Sequence, residues 1–217
     1  MEYVKVCGIK NYNDAKLCIE QGADAIGFIY NVPSSPRNLE KNQLLSLLNE
    51  INNQSSTVLV TKTNNLEEIQ EYDKEFNPTF IQIHSNLDIK ELNNLSKDLK
   101  KKMIVALSVE KTNKKSIISL INDNHSLFFA YLIDSSEGHG NQFNFKIIED
   151  ILKNTNTKRI ILAGGININN VEKIIKKIKP YGIDLSSSLE SENGVKDSNK
   201  IKNFLQKINL IKKSIKK

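Results

Sequence analysis

A beat repeats along this chain from end to end: a short apolar run, a turn, a helical pattern, then the next apolar run. The runs are 3–7, 25–29, 57–61, 80–84, 103–107, 128–133, 159–162 and 182–185, and their length and flanking turns predict strands. Between them apolar residues recur at helical spacing, as in Leu44, Leu47, Leu48 and Ile51, or Ile201, Leu205, Ile208 and Ile211. The first helix is predicted to be capped by Asn13 and Asp14 and to carry Gly22 at its C-terminal turn. Further helices are predicted over 66–76, 88–99, 116–121, 145–152 and 170–178. Eight strand-helix units in 217 residues average about 27 residues each, close to the lower size limit for a (β/α)8 barrel. Parallel strands joined by helices need right-handed crossovers, and eight of them winding the same way close a ring. The predicted fold is therefore α/β, a single-domain (β/α)8 TIM barrel over residues 1–217, with no linker or composition break. An open doubly wound sheet shares the periodicity and is the alternative.

Composition removes several other classes. Gly and Pro total only 13, and no polar tract is long enough to predict a disordered chain. No run of 18 apolar residues exists, and the stretch Met1-Glu2-Tyr3-Val4-Lys5-Val6 lacks signal-peptide character, so no membrane contact and a cytoplasmic location are expected. Two cysteines, Cys7 and Cys18, are too few for a disulfide framework and are expected to be reduced. The formal charge of +6 suits an anionic small molecule or a nucleic acid equally. Much of the excess sits at Lys202, Lys207, Lys212, Lys213, Lys216 and Lys217, without interleaved aromatics, which reads as the solvated face of a final helix rather than a nucleic-acid surface.

In a closed barrel, functional groups gather where the strands end and the βα loops begin. Here those ends carry Cys7-Gly8, the loop to Arg37, Thr61-Lys62, His84, Ser108, Asp134, Ala163-Gly164-Gly165 and Asp184 through Ser188. Strand parity puts Lys5 on the same side as Cys7, so its ammonium is expected to favour the thiolate and lower the Cys7 pKa. A buried cysteine with no chemistry is the plain alternative. Cys18, mid-helix on an apolar face, is read as core. Asp134, leaving an apolar strand, is a candidate general acid or a loop cap. Strands one and six face each other across an eight-membered ring, so a base at Cys7 and an acid at Asp134 could move a proton between neighbouring carbons of one small substrate.

Gly164 and Gly165, with Ser186 and Ser187 one strand later, occupy the loops where barrel enzymes commonly hold phosphate. Arg37, after the stiff Ser35-Pro36 loop, could clamp a carboxylate bidentately. His84 and Asp184 are expected to line the pocket. His84, His125 and His139 fall in no cluster with metal-ligand spacing, so no metal is expected.

Taken together, Lys5-Val6-Cys7-Gly8-Ile9, Gly22 through Phe28, Ser35-Pro36-Arg37, Ile81 through His84, Leu132-Ile133-Asp134, Leu162 through Ile166, Gly182 through Ser187 and Gly194-Val195-Lys196-Asp197 resemble the phosphoribosylanthranilate isomerase family of tryptophan biosynthesis over nearly the whole chain. The resemblance implies a cofactor-independent Amadori rearrangement of N-(5-phosphoribosyl)anthranilate to the carboxyphenylamino-deoxyribulose phosphate. It implies Asp134 as the acid that opens the furanose ring and Cys7 as the base at the sugar's second carbon. Arg37 would hold the anthranilate carboxylate, and Gly164, Gly165, Ser186 and Ser187 the phosphate. The chain departs from the family's usual pattern at Ser85, in Gly138-His139-Gly140, and at Ser188. The expected partner is a phosphorylated small molecule, with no nucleic acid, and the chain is expected to be a monomer or homodimer. Rival readings are another phosphosugar barrel enzyme, with a lysine acid or paired aspartates and a metal, and a non-catalytic phospho-ligand binder.

Overall fold

A computed structural model describes residues 1–51, 53–84, 89–110, 112–135 and 143–215. Eight parallel strands form its centre: β1 Tyr3–Cys7, β2 Ala25–Tyr30, β3 Ser56–Thr61, β4 Phe80–Ile83, β5 Met103–Ser108, β6 Ala130–Asp134, β7 Ile160–Ala163 and β8 Gly182–Leu185. Each pairs with the next, and β1 pairs with both β2 and β8, so the sheet closes. The barrel reading holds and the open-sheet alternative does not.

Side chains alternate along the strands with period two, and the two faces feed two different cores. Cys7, Ala25, Val58, Val60, Ile104, Leu132 and Ile161 cluster inside the ring. Val4, Val6, Ile26, Phe28, Leu59, Ile81 and Ile183 pack outward in the shell that holds the helices. Those helices are α1 Tyr12–Glu20, α2 Lys41–Ile51, α3 Leu66–Phe76, α4 Ile89–Leu92, α5 Lys97–Lys101, α6 Lys114–Asp123, α7 Phe145–Asn154, α8 Val171–Lys173 and α9 Ser198–Ile215. Helix α9 buries Ile201, Leu205, Ile208 and Ile211, as its spacing predicts. None of these helices is long and apolar enough to cross a membrane. Cys18 is fully buried on α1, in keeping with its core reading.

Several elements differ from expectation for local reasons. Asn11, not Asn13 or Asp14, caps α1, its side chain accepting from the Asp14 N–H at 2.9 Å. The helix predicted over 88–99 is two short helices, because Ser96 caps a fresh start by accepting from the Leu99 N–H. The helix predicted over 170–178 widens from α8 into a π-helical turn, Ile174–Ile178, that stops at Lys179 with φ +52°. A two-residue strand, Asn38–Leu39, pairs with the end of β2, and a small ribbon joins Glu190–Glu192 to Val195–Lys196. Ser85, Gly138-His139-Gly140, Lys216 and Lys217 lie outside the described residues.

Candidate active site

A cavity of about 650 Å³ opens above the C-terminal ends of the strands, within the size range of small-molecule sites. Cys7, Asp134 and Asp184 line it from β1, β6 and β8, and Arg37 and His84 from the loops that follow β2 and β4. Gly164, Gly165, Ser186, Ser187 and Ser188 complete its other wall. The cavity thus collects nine of the ten expected site residues, and the tenth, Lys5, lies beneath Cys7.

The floor is a buried ionic cluster. Strand register sets Lys5 opposite Asp184, and Lys5 Nζ donates to Asp184 Oδ2 at 2.8 Å with the lysine side chain wholly enclosed. Burial works against the ammonium, but the Asp184 carboxylate beside it keeps its pKa above the ordinary value. Gly27 is what gives this cluster room. It pairs with Cys7 across β1 and β2, and a Cβ there would lie 2.9 Å from Lys5 Cε and 3.0 Å from Cys7 Sγ.

The expected lowering of the Cys7 pKa is corrected by this environment. Burial pushes the thiol up and is the largest effect; Lys5 pulls down, Asp184 pushes up again, and Lys196 pulls down weakly. The net shift is upward, so in the empty cavity Cys7 is held as a neutral thiol. Parity identified the ammonium correctly, yet the enclosure that desolvates the sulfur counts for more.

His84 follows β4, and its pKa is lowered by burial first and by Lys5 second, which keeps the ring neutral near pH 7. Gln82 Nε2 donates to His84 Nε2 at 2.6 Å, and Gln82 Oε1 has no partner among the described residues. Asp134 is the last residue of β6, half-buried, its strand registered with β5 and β7.

Gly164 and Gly165 leave β7 with φ +78° and +65°, a left-handed pair that glycine adopts without strain, and both line the cavity. The Ser135 hydroxyl donates to the carbonyls of Ala163 and Gly164 and ties the loop to the end of β6. Ser186 Oγ donates to the Cys7 carbonyl at 3.3 Å, joining the β8 loop to β1. Ser187 and Ser188 begin a 3-10 turn, Ser187–Leu189.

Arg37 is more engaged than the sequence predicts. Its Nε donates to Glu190 Oε1 at 2.7 Å and its Nη2 to Glu190 Oε2 at 2.6 Å, with a longer contact of 3.3 Å to Asn193. One guanidinium edge is therefore taken by the protein, so a bidentate clamp on a ligand is left only the opposite edge. Gly8 permits this seat: it has φ +77°, and a Cβ on it would fall 2.4 Å from Arg37 Cδ.

Sequence reasoning named Lys62 and Gln82 at strand ends without giving either a role, and it passed over Glu190 and the role of Lys196. Lys62 is exposed at the cavity and lies at a strand end where the barrel rule itself directs attention. Lys196 falls in a segment that carried the family resemblance. Nothing in the spacing pointed to Glu190.

A closed (β/α)8 ring with thiol, carboxyl, imidazole and guanidinium groups converging on one cavity at its C-terminal face defines a barrel enzyme. Residues 4–207 match the family model described as N-(5'-phosphoribosyl)anthranilate (PRA) isomerase, and the chain belongs to that family. It is 35% identical over 212 residues to the N-(5'-phosphoribosyl)anthranilate isomerase of Petrotoga mobilis, covering 96% of this chain and 98% of the relative. The crystal structure of phosphoribosyl anthranilate isomerase from Thermotoga maritima superposes with a TM-score of 0.80 at 27% identity, covering 96% of this chain and 99% of the other. A second structure, of the isomerase in complex with reduced 1-(o-carboxyphenylamino)-1-deoxyribulose 5-phosphate, gives 0.79 at 27% identity, with 95% and 97% covered.

Proposed function

We propose that residues 1–217 act as one N-(5'-phosphoribosyl)anthranilate isomerase domain, converting its substrate to 1-(2-carboxyphenylamino)-1-deoxyribulose 5-phosphate by general acid–base catalysis. The observation that carries the mechanism is that Cys7 from β1 and Asp134 from β6 line the same cavity. In this reading Asp134 gives a proton to the furanose ring oxygen, the bond from that oxygen to the first carbon breaks, and the nitrogen lone pair forms an iminium. Cys7 then takes the proton from the second carbon, and the electron pair left behind neutralises the iminium to give an enolamine. Tautomerisation of the enolamine yields the ketone.

The raised thiol pKa fits this order of events. An iminium beside the sulfur supplies the positive charge that burial denies the thiolate, and the same charge acidifies the proton to be removed. The base is then generated when it is needed and is quiet in the empty site. Asp184 Oδ1 is enclosed and has no hydrogen-bond partner among the described residues. The left-handed Gly164-Gly165 pair and the Ser186-Ser187 loop are read as the phosphate anchor, and Arg37 as the anchor for the anthranilate carboxylate. Two anchored ends hold the sugar between acid and base, which makes the proton transfers effectively intramolecular.

The test is to add purified protein to freshly prepared phosphoribosylanthranilate and follow anthranilate-type fluorescence. Enzymatic loss of the signal with formation of the ketose product supports the reading. An unchanged signal under conditions where the ligand binds would leave a phospho-ligand binder instead.

A further inference from the structure

Glu190 carries the densest set of charged contacts in the described molecule, and the mechanism above does not use it. Its side chain is only 3% exposed. One carboxylate oxygen accepts from Arg37 Nε at 2.7 Å and from Lys196 Nζ at 2.7 Å. The other accepts from Arg37 Nη2 at 2.6 Å and from the Gly194 N–H at 3.1 Å. Lys196 is itself 1% exposed and donates also to the Ser186 carbonyl at 3.2 Å, while Lys200 Nζ donates to the Glu190 carbonyl at 2.6 Å. Burial raises the carboxyl's pKa, but the Arg37 and Lys196 hydrogen bonds and the Gly194 N–H overcome it and hold the value at about 2. Glu190 is an anion at any working pH, and besides Arg37 its carboxylate is held by Lys196 and the Gly194 N–H.

A guanidinium has five N–H donors in one plane. Glu190 takes one from Nε and one from Nη2, and the long Asn193 contact takes the second of Nη2. Among the described residues neither Nη1 donor has a partner, and the Nη1–Nη2 edge opens to a ligand carboxylate once the weak Asn193 contact yields. A free arginine would lose most of its rotamer freedom on binding, whereas one already held by a bidentate carboxylate has lost it in the empty enzyme.

We propose that Glu190 is a positioning residue for Arg37: held by Lys196 and the Gly194 N–H, it fixes the guanidinium plane so that the remaining edge is set for the substrate's aromatic carboxylate. The inference rests on the isomerase reading and deepens it at one anchor. Glu190 touches no reacting atom. Its effect belongs in KM, travels through Arg37, and vanishes when Arg37 is gone.

The experiment is a cycle of wild type, Glu190→Gln, Arg37→Ala and the double variant, each assayed for phosphoribosylanthranilate turnover, with thermal unfolding as the control for folding. Glu190→Gln is expected to raise KM about tenfold with kcat within about twofold of wild type. In the Arg37→Ala background the same change is expected to move KM less than about twofold. Multiplicative effects on KM, or an unchanged KM in Glu190→Gln, overturn the proposal and leave Glu190 as an anchor of its ribbon. Should Glu190→Gln lose the fold, Glu190→Asp takes its place in the cycle; it keeps the charge but, one methylene shorter, does not reach the guanidinium from the same backbone position, and the same two outcomes decide. Wild type that leaves the substrate unconverted overturns the isomerase reading and this inference with it, whereas active wild type with additive variants overturns this inference alone.

Discussion

At the N-terminal mouth of the barrel four aromatic rings close the opening, and at the C-terminal mouth the same four strands end in groups that ionise. Tyr3 opens β1 and Cys7 ends it; Phe80 opens β4 and His84 follows it; Phe129 precedes β6 and Asp134 ends it; Tyr181 precedes β8 and Asp184 lies near its end. Tyr3 stacks on Tyr181 with centroids 6.0 Å apart, Phe80 on Phe129 at 4.0 Å, and Arg159 lies over Phe129 at 5.2 Å. Aromatic packing of this kind seals the bottom of the ring and contributes stability. The top leaves a cavity of about 650 Å³ with charged groups on its floor and walls, an arrangement that costs stability and makes chemistry available. Four strands, each a handful of residues long, thus separate the two tasks by about 13–17 Å. Changes at the two mouths should therefore fail in different ways.

The largest effect is expected at the top, where Asp134→Asn removes the acid while keeping its shape. Its kcat should fall about 10³-fold, within the range for loss of a general acid, while the thermal unfolding midpoint stays near wild type. A variant that unfolds early but turns over normally would assign Asp134 to the scaffold. Next comes Arg37→Ala, expected to raise KM about 10–100-fold with little change in kcat, the loss of charge-assisted hydrogen bonds worth about 1.5–3 kcal/mol. A fall confined to kcat would move Arg37 from anchoring to chemistry.

Phe129→Ala is the counterpart at the bottom. It should cost about 2 kcal/mol of stability, as half-buried aromatic truncations do, and leave kcat and KM unchanged at 25 °C. Altered kinetics in a folded Phe129→Ala protein would show that the mouths are coupled. The smallest effect is a displacement in pH. Because burial raises the Cys7 pKa, peptide-resolved alkylation by iodoacetamide in the free enzyme should be slow at pH 7 and accelerate only above the range of an ordinary thiol, about 8.5. Fast modification at pH 7 would mean that Lys5 outweighs desolvation after all.

Much of this architecture was legible in the sequence because it is local. Short apolar runs alternating with helical spacing marked the eight units, and strand parity put Lys5 beneath Cys7. The parts that escaped depend on residues brought together from far along the chain. Arg37 and Glu190 are 153 residues apart, and Lys5 and Asp184 are 179 apart. The direction of the Cys7 shift required knowing how completely the closed ring excludes water from the sulfur and that an opposing carboxylate stands beside the ammonium. Similarly, the break between α4 and α5 turns on one serine capping a new helix, a choice that Ser96 offers but a pattern of apolar residues does not reveal.

The account stands on Cys7 being the group that takes the proton from the sugar, and single-turnover kinetics of Cys7→Ser test it most directly. The serine hydroxyl keeps the size and is far too weakly acidic to serve, so the account predicts substrate binding close to wild type with a conversion rate reduced by at least about 10²-fold. A Cys7→Ser enzyme that converts bound substrate at nearly the wild-type rate would contradict it.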